Sequence, residues 1–90
     1  KNHQADDDSD TNWLLDFDLS VLGADQERYL EYTQQIRKEY RRYPDLIYKP
    51  GRKKVIQYFL NLNEIYKTPT YFERYEAQAR KNLANELKVL

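Results

Sequence analysis

The sequence predicts an all-α fold: a small bundle of about four helices over residues 11–90, preceded by an acidic N-terminal segment over residues 1–10. Apolar residues recur at spacings of three and four, which is typical of helices with one buried face. Capping residues, prolines and glycines separate these stretches, and no alternating strand pattern competes with them. A single small domain of modest stability is expected from 90 residues.

The first helix is expected to run from a cap at Thr11 or Asn12 to about Leu22, where Gly23 in the left-handed conformation ends it. Its surface is apolar nearly all round, and such a helix is expected to be buried. The apolar residues are Trp13, Leu14, Leu15, Phe17, Leu19, Val21 and Leu22.

Two carboxylates, Asp16 and Asp18, lie within this apolar stretch. Positions two apart on a helix point about 200° from each other, so the two acids cannot share a face. A carboxylate that is buried with the helix needs a partner or a metal. We therefore expect at least one of them to have such a role; the alternative is an acid at a helix end that contacts only water.

Asp25 is expected to cap a long second helix, which ends at Pro44 because the residue before a proline disfavours the α conformation. Residues 44–51 then form a connection, with a turn at Pro50 and Gly51. The apolar stripe of this second helix consists of Tyr29, Tyr32, Ile36, Tyr40 and Tyr43.

A third helix is expected from about Arg52 to Leu62. Thr68 caps the last helix with Pro69 in its first position, although a capping box that begins at Thr70 is an alternative start. This helix runs nearly to the C-terminus. Its apolar stripe consists of Phe72, Tyr75, Ala79, Leu83 and Leu87.

The chain contains nine tyrosines. A tyrosine on a helical stripe is usually placed at the edge of a core, with its ring buried and its hydroxyl hydrogen-bonded. Tyr48 and Tyr66 differ, because they lie in predicted connections beside Lys49 and Lys67. For these two tyrosines a ligand-facing role fits better.

The composition excludes several classes of protein. Fifteen basic residues balance fifteen acidic ones, so no overall positive charge favours nucleic acid, which is an unlikely partner. Cysteine is absent, which excludes disulfides and thiolate zinc sites. No apolar run approaches the ~20 residues of a membrane span, so we expect no membrane association and a cytoplasmic location.

The charges are nevertheless segregated along the chain. Residues 1–18 hold six aspartates against one lysine, whereas residues 37–54 hold eight basic residues against two acidic ones. The basic stretch is compatible with a phosphate-binding surface. It is equally compatible with attraction between the two halves, or with ordinary solvated helix faces.

One histidine, His3, lies in the acidic segment near Asp6, Asp7 and Asp8. Imidazole and carboxylate groups are suitable ligands for Mn, Fe or Mg. The alternative is a solvated tail. No P-loop, glycine-rich loop or nucleophile elbow is present, so these residues do not assemble a complete active site.

Residues 17–87 resemble the C-terminal half of a family of predicted metal-dependent phosphohydrolases in the HD superfamily. The resemblance extends over about four-fifths of the chain. It is carried by Asp16-Phe17-Asp18-Leu19-Ser20-Val21-Leu22-Gly23, Tyr32, Ile36-Arg37-Lys38-Glu39-Tyr40, Tyr43-Pro44-Asp45, Gly51-Arg52, Ile65-Tyr66-Lys67-Thr68-Pro69, Glu76-Ala77-Gln78-Ala79-Arg80 and Asn82-Leu83.

The resemblance implies an all-helical fold that binds one or two divalent metals and hydrolyses phosphate esters, often of nucleotides. Asp18, followed by Leu19, is similar to the family's later metal ligand, with Asp16 as the close alternative and His3 as a weaker match. The family's other ligands, a His and a His-Asp pair, are absent from these residues. Metal binding and activity are therefore expected only when the missing ligands are supplied.

Two functions follow as expectations. In the first, the chain is the C-terminal portion of such a hydrolase, and Arg37, Arg41 or Arg52 orients the phosphate of a phosphorylated small molecule or nucleotide. The missing N-terminal half of the same protein, or self-association through the first helix, would complete its core. In the second, the chain is a non-catalytic helical module that binds a protein partner through its apolar surface.

Overall fold

Four α-helices and a short 3-10 helix form the part of the chain that the computed structural model describes, which is the backbone of residues 9–90 and the side chains of residues 11–90. The bounds are α1 (Ser9–Leu19), the 3-10 helix (Ser20–Gly23), α2 (Gln26–Glu39), α3 (Asp45–Leu60) and α4 (Pro69–Val89). Residues 9–90 contain no strand, and the predicted all-α bundle is confirmed. Most of the acidic segment, including His3, lies outside the described residues.

Two predicted helix starts are confirmed. The carboxylate of Asp25 accepts a hydrogen bond from the backbone N–H of Arg28 at 2.9 Å and caps α2. The hydroxyl of Thr68 accepts one from the N–H of Tyr71 and caps α4, with Pro69 in the first helical position. The alternative start at Thr70 is not used.

Gly23 does not end α1 in the left-handed conformation, contrary to prediction. No glycine in residues 9–90 has a positive φ, and α1 continues into the 3-10 helix. A Cβ on Gly23 would lie 2.6 Å from the Cβ of Tyr75 and 2.8 Å from its carbonyl oxygen. The residue is glycine because the 3-10 helix and α4 touch backbone to backbone at this point.

The prediction for residues 40–51 was also wrong. The second helix ends at Glu39, and α3 begins at Asp45 with Pro44 as its N-cap. Pro50 and Gly51 lie inside α3 and do not form a turn. A proline in the second turn of a helix removes one backbone hydrogen bond and crowds the preceding turn. Arg52, two residues later in the same helix, forms an ion pair with Glu86 that offsets this cost.

The core contains seven buried apolar residues from the 3-10 helix, α2, α3, α4 and the segment before α4: Leu22, Tyr29, Ile56, Ile65, Tyr66, Ala79 and Leu83. Six polar residues are buried with them, namely Asn12, Asp16, Arg52, Thr68, Glu76 and Asn82. Tyr66 is fully buried and donates a hydrogen bond to the carbonyl of Leu19, so it belongs to the core and not to a ligand site. The small core is thus unusually polar.

Helix α1 is not buried all round, in contrast to the prediction. Asp16 is fully buried, whereas Leu14 and Phe17 are 61% and 64% exposed. Trp13 is also partly exposed, and its ring packs edge-on against Tyr71. Within the described residues, α1 therefore turns a polar face inward and an apolar face outward. None of the described helices combines the length and apolar character that a membrane crossing requires.

The two glycines provide a matched test of this packing. We expect Gly23→Ala to lower the free energy of unfolding by about 1–3 kcal/mol, because the added methyl group overlaps Tyr75. Gly51→Ala should raise it by about 0.5–1 kcal/mol, because a Cβ there meets nothing within 4 Å and alanine favours the helix. Urea unfolding measures both changes, and equal effects would contradict the close approach at Gly23.

Candidate functional site

The carboxylate of Asp16 holds the start of α4. Its Oδ1 accepts a hydrogen bond from the backbone N–H of Lys67 at 2.8 Å. Its Oδ2 accepts two more, from the backbone N–H of Thr68 at 2.6 Å and from the Thr68 hydroxyl at 2.7 Å. Both oxygens of this fully buried side chain are thus occupied. Asp16 has the partner that its burial requires, and that partner belongs to the chain itself.

A second polar cluster holds the segment between α3 and α4. The carboxylate of Glu76 accepts hydrogen bonds from the backbone N–H groups of Ile65 and Tyr66. Arg80, one turn later, pairs with Glu76 at 2.7 Å. Its guanidinium also donates to carbonyl groups at the end of α3 and beyond, those of Leu60, Leu62 and Asn63. One pair of side chains thus satisfies backbone groups on both sides of this connection.

Asn82 performs the same task for the connection between the 3-10 helix and α2. Its Nδ2 donates to the carbonyl oxygens of Leu22 and Ala24, at 2.9 Å and 2.7 Å. Gln78, one turn earlier, donates to Asn82 Oδ1 and fixes the orientation of the amide. Sequence reasoning missed these residues of α4. The available signal was the recurrence of polar residues at helical spacing directly beside the apolar stripe.

Asp18 lies on the opposite side of α1 from Asp16. The residue is exposed, and its side chain makes no hydrogen bond or ion pair within the described part of the chain. Leu14 and Leu15 lie four and three residues before it and are its neighbours on the helix surface. Both are exposed, as is Phe17. A single free carboxylate therefore lies on the apolar outer face of α1, near the C-terminal end of the helix.

The described residues do not form a metal site by themselves. No group of three or more His, Asp or Glu side chains in this part of the chain could hold an ion. Asp16 could bind a metal only by releasing the start of α4, whereas Asp18 could contribute one ligand. His3 lies outside the described residues. The donor set within residues 11–90 thus fits one ligand of a metal site and not a complete one.

Two of the three candidate phosphate-binding arginines have partners within the chain. Arg37 pairs with Asp45 at 2.8 Å and donates to the carbonyl groups of Tyr40 and Tyr43. Its guanidinium carbon also lies 4.5 Å from the centre of the Tyr48 ring. These contacts hold the turn between α2 and α3 and explain why α3 can begin directly after Pro44.

Arg52 belongs to a buried ion pair. Its Nε and Nη2 donate to the two carboxylate oxygens of Glu86 at 2.7 Å and 2.9 Å. The hydroxyl of Tyr29 donates to the same carboxylate, so α2, α3 and α4 meet at Glu86. Burial acts to lower the pKa of Arg52, but hydrogen bonding and the charge of Glu86 outweigh it and raise the pKa above its usual value.

Arg41, the third candidate, is exposed in the turn after α2. Its backbone N–H donates to the carbonyl of Lys38, but its side chain makes no ion pair or hydrogen bond with the described residues. All three arginines lie on α2, α3 or the turn between them, whereas Asp18 lies on α1. No described contact joins them to Asp18, so the predicted metal ligand and phosphate-binding residues do not form one observed cluster.

A cavity of about 480 Å³ opens between α2 and α3. Tyr32, Tyr40, Tyr43 and Tyr48 contribute to its walls, as do Gly51 and Arg52. Tyr48 is half-buried here, and burial raises the pKa of its hydroxyl. The prediction that this tyrosine faces a ligand is compatible with its place in the cavity, although Tyr48 lies in α3 and not in a connection.

Comparison with known proteins adds no relative: no protein-family model, curated protein or solved structure matches the chain.

The two aspartates of α1 differ in what their removal should do. Asp16→Asn exchanges a charged acceptor of three hydrogen bonds for an amide, and we expect a loss of about 1–3 kcal/mol in unfolding free energy. The exposed Asp18→Asn should change it by less than about 0.5 kcal/mol. Urea unfolding of the two variants tests this difference, and a large loss in Asp18→Asn would contradict its placement.

Stability should fall at alkaline pH. Burial and the charge of Glu76 raise the pKa of Tyr66, and burial and the hydrogen bond to Glu86 raise that of Tyr29. The folded state thus keeps two protons that the unfolded chain releases as the pH rises through about 10. The stabilisation that these neutral tyrosines provide is complete below that pH and is lost above it.

Urea midpoints between pH 8 and pH 11.5 measure this decline. Tyr66→Phe, which cannot ionise, should make it shallower. Phenylalanine in place of the exposed Tyr58 (62% exposed) is the control and should leave the slope as it is in the unchanged chain. Parallel profiles for all three proteins would contradict the role of the buried hydroxyl.

Proposed function

We propose that this chain is the carboxyl-terminal helical part of a metal-dependent phosphohydrolase, and that Asp18 supplies one of its metal ligands. The observation that supports the proposal is the position of Asp18 on an uncovered apolar helix face, beside the exposed Leu14 and Leu15. Helices that cover Leu14 and Phe17 would also enclose this carboxylate. An enclosed carboxylate requires a cation, a metal or hydrogen-bond donors.

The different hydrogen bonding of the two aspartates supports the choice of Asp18 as the metal ligand. Asp16 is engaged by Lys67 and Thr68 and is needed for the fold. Asp18 is not engaged by any described residue. A ligand whose removal leaves the fold intact is also the more useful experimental target.

The test is metal-dependent hydrolysis of phosphate esters by the complete gene product. With Mn²⁺ present, the protein should hydrolyse p-nitrophenyl phosphate or a nucleotide, and Asp18→Asn should lower the rate at least 100-fold at an unchanged melting temperature. The 90-residue chain alone should be inactive and bind Mn²⁺ with at best millimolar affinity, about 4 kcal/mol. A micromolar site on the isolated chain, or full activity of Asp18→Asn, would overturn the proposal.

The outer face of α1 favours a second candidate, a helical module that binds another protein. Leu14 and Phe17 are largely exposed, and covering a leucine or phenylalanine side chain contributes about 1.5–3 kcal/mol. The two functions differ in what Asp18→Asn does. For a module, removal of the charge leaves binding intact or strengthens it, and chelators have no effect. The proposal of an interaction module would be contradicted if the chain were strictly monomeric and the gene product bound no protein through α1.

A further inference from the structure

The cavity between α2 and α3 has walls suited to a flat aromatic molecule. Four tyrosine rings line it, and the ring of Tyr40 lies 6.2 Å from that of Tyr43 and 6.4 Å from that of Tyr48. Aromatic rings attract one another in tilted and offset arrangements at such separations. The volume of about 480 Å³ is within the range of small-molecule sites.

Gly51 provides a second indication of a ligand. A glycine inside a helix costs about 1 kcal/mol relative to alanine, and here the protein's own packing does not require it. A Cβ on Gly51 would meet nothing within 4 Å, yet the residue lines the cavity. A glycine with space around it allows another molecule to approach the helix backbone closely.

Arg52 provides a polar anchor in the cavity wall. The residue is only 8% exposed, and its Nε and Nη2 are bonded to Glu86. Its Nη1 has no acceptor among the described residues. Arg52 lines the cavity, and a guanidinium nitrogen of this kind carries two N–H donors. An oxygen of a ligand could accept hydrogen bonds from it.

The charge around the cavity favours a singly charged anion. Most of the cavity wall belongs to the stretch from residue 37 to residue 54, which carries eight basic residues against two acidic ones and attracts an anion. Arg52 is the basic residue among those that line the cavity. Glu86 already neutralises Arg52, however, and the carboxylate of Glu39 also lines the cavity. A dianionic phosphate would be repelled by these acids more strongly than a carboxylate.

We propose that this cavity binds a planar aromatic monocarboxylate, with its ring among the tyrosines and its carboxylate at Arg52 Nη1. The site is separate from Asp18 and does not depend on the proposed hydrolase function. It binds its ligand without chemical change.

Three probes with one ring system test the proposal on the 90-residue chain. By isothermal titration calorimetry, naphthalene-2-carboxylate should bind with a Kd below 1 mM, a threshold of about −4 kcal/mol in binding free energy. The neutral naphthalene-2-carboxamide and the dianionic 2-naphthyl phosphate should each bind at least fivefold more weakly. Absence of carboxylate binding below 5 mM, or equal or tighter binding of either analogue, would overturn the proposal.

A matched pair of variants locates the site. Gly51→Leu places a side chain in the cavity and should weaken carboxylate binding at least tenfold, whereas Gln57→Leu, at an exposed position of the same helix outside the cavity, should leave it unchanged. Amide chemical shifts of the unchanged chain provide an independent readout and should move at the tyrosines of the cavity. Unchanged binding by Gly51→Leu, or shifts confined to α1, would contradict this location.

Discussion

Two connections, the one before α2 and the one before α4, contain backbone groups that need hydrogen-bond partners. Buried and partly buried side chains provide these partners. Glu76, Arg80 and Asn82 of α4 bond to the backbone of residues 22–24 and 60–66, and Asp16 bonds to residues 67 and 68. A buried backbone N–H or carbonyl without a partner costs about as much as a lost hydrogen bond. The packing of the other elements depends on these few polar side chains.

This constraint explains why so small a domain has a polar core. Among the described residues, seven apolar ones are buried, which is few for a core that must hold four helices together. The polar contacts compensate by fixing geometry: α4 is held to α1 by Asp16, to the 3-10 helix by Asn82, and to α2 and α3 by Glu86. Hydrogen bonds to charged groups contribute about 1.5–3 kcal/mol each, so the loss of one such residue should affect more than one element.

The sequence was sufficient to predict the helical class, the caps at Asp25 and Thr68 and a buried partner for at least one aspartate of the α1 pair. It favoured Asp18 for that role, whereas the buried residue is Asp16. It misled where tertiary contacts override local preference. Pro50 and Gly51 are turn residues by propensity, yet α3 continues through them because Tyr48 contacts Arg37 on one side and Arg52 bonds to Glu86 on the other. By propensity Gly23 should end the helix, whereas in the structure its lack of a side chain allows Tyr75 to pack closely against it. Neither contact can be read from neighbouring residues.

The candidate site was predictable only in part, for a related reason. Spacing alone separates Asp16 from Asp18 by about 200° but does not show which of the two faces the core. The answer depends on Lys67 and Thr68, which lie about fifty residues away in sequence and are placed there by the start of α4. The arginines show the same limitation, since local charge marks Arg37 and Arg52 as unpaired although they form ion pairs with Asp45 and Glu86.

The outer face of α1 sets a condition on any partner of this chain. Leu14 and Phe17 gain from being covered, whereas Asp18, one turn after Leu14, loses its hydration when they are. A purely apolar partner would bury a charge without compensation, and this loss would offset much of the gain from the two apolar side chains. A partner that covers the whole face must therefore bring a cation, a metal or hydrogen-bond donors to Asp18. A partner that lacks them must leave Asp18 at the rim, and the charge of this aspartate thus restricts which surfaces can dock on α1.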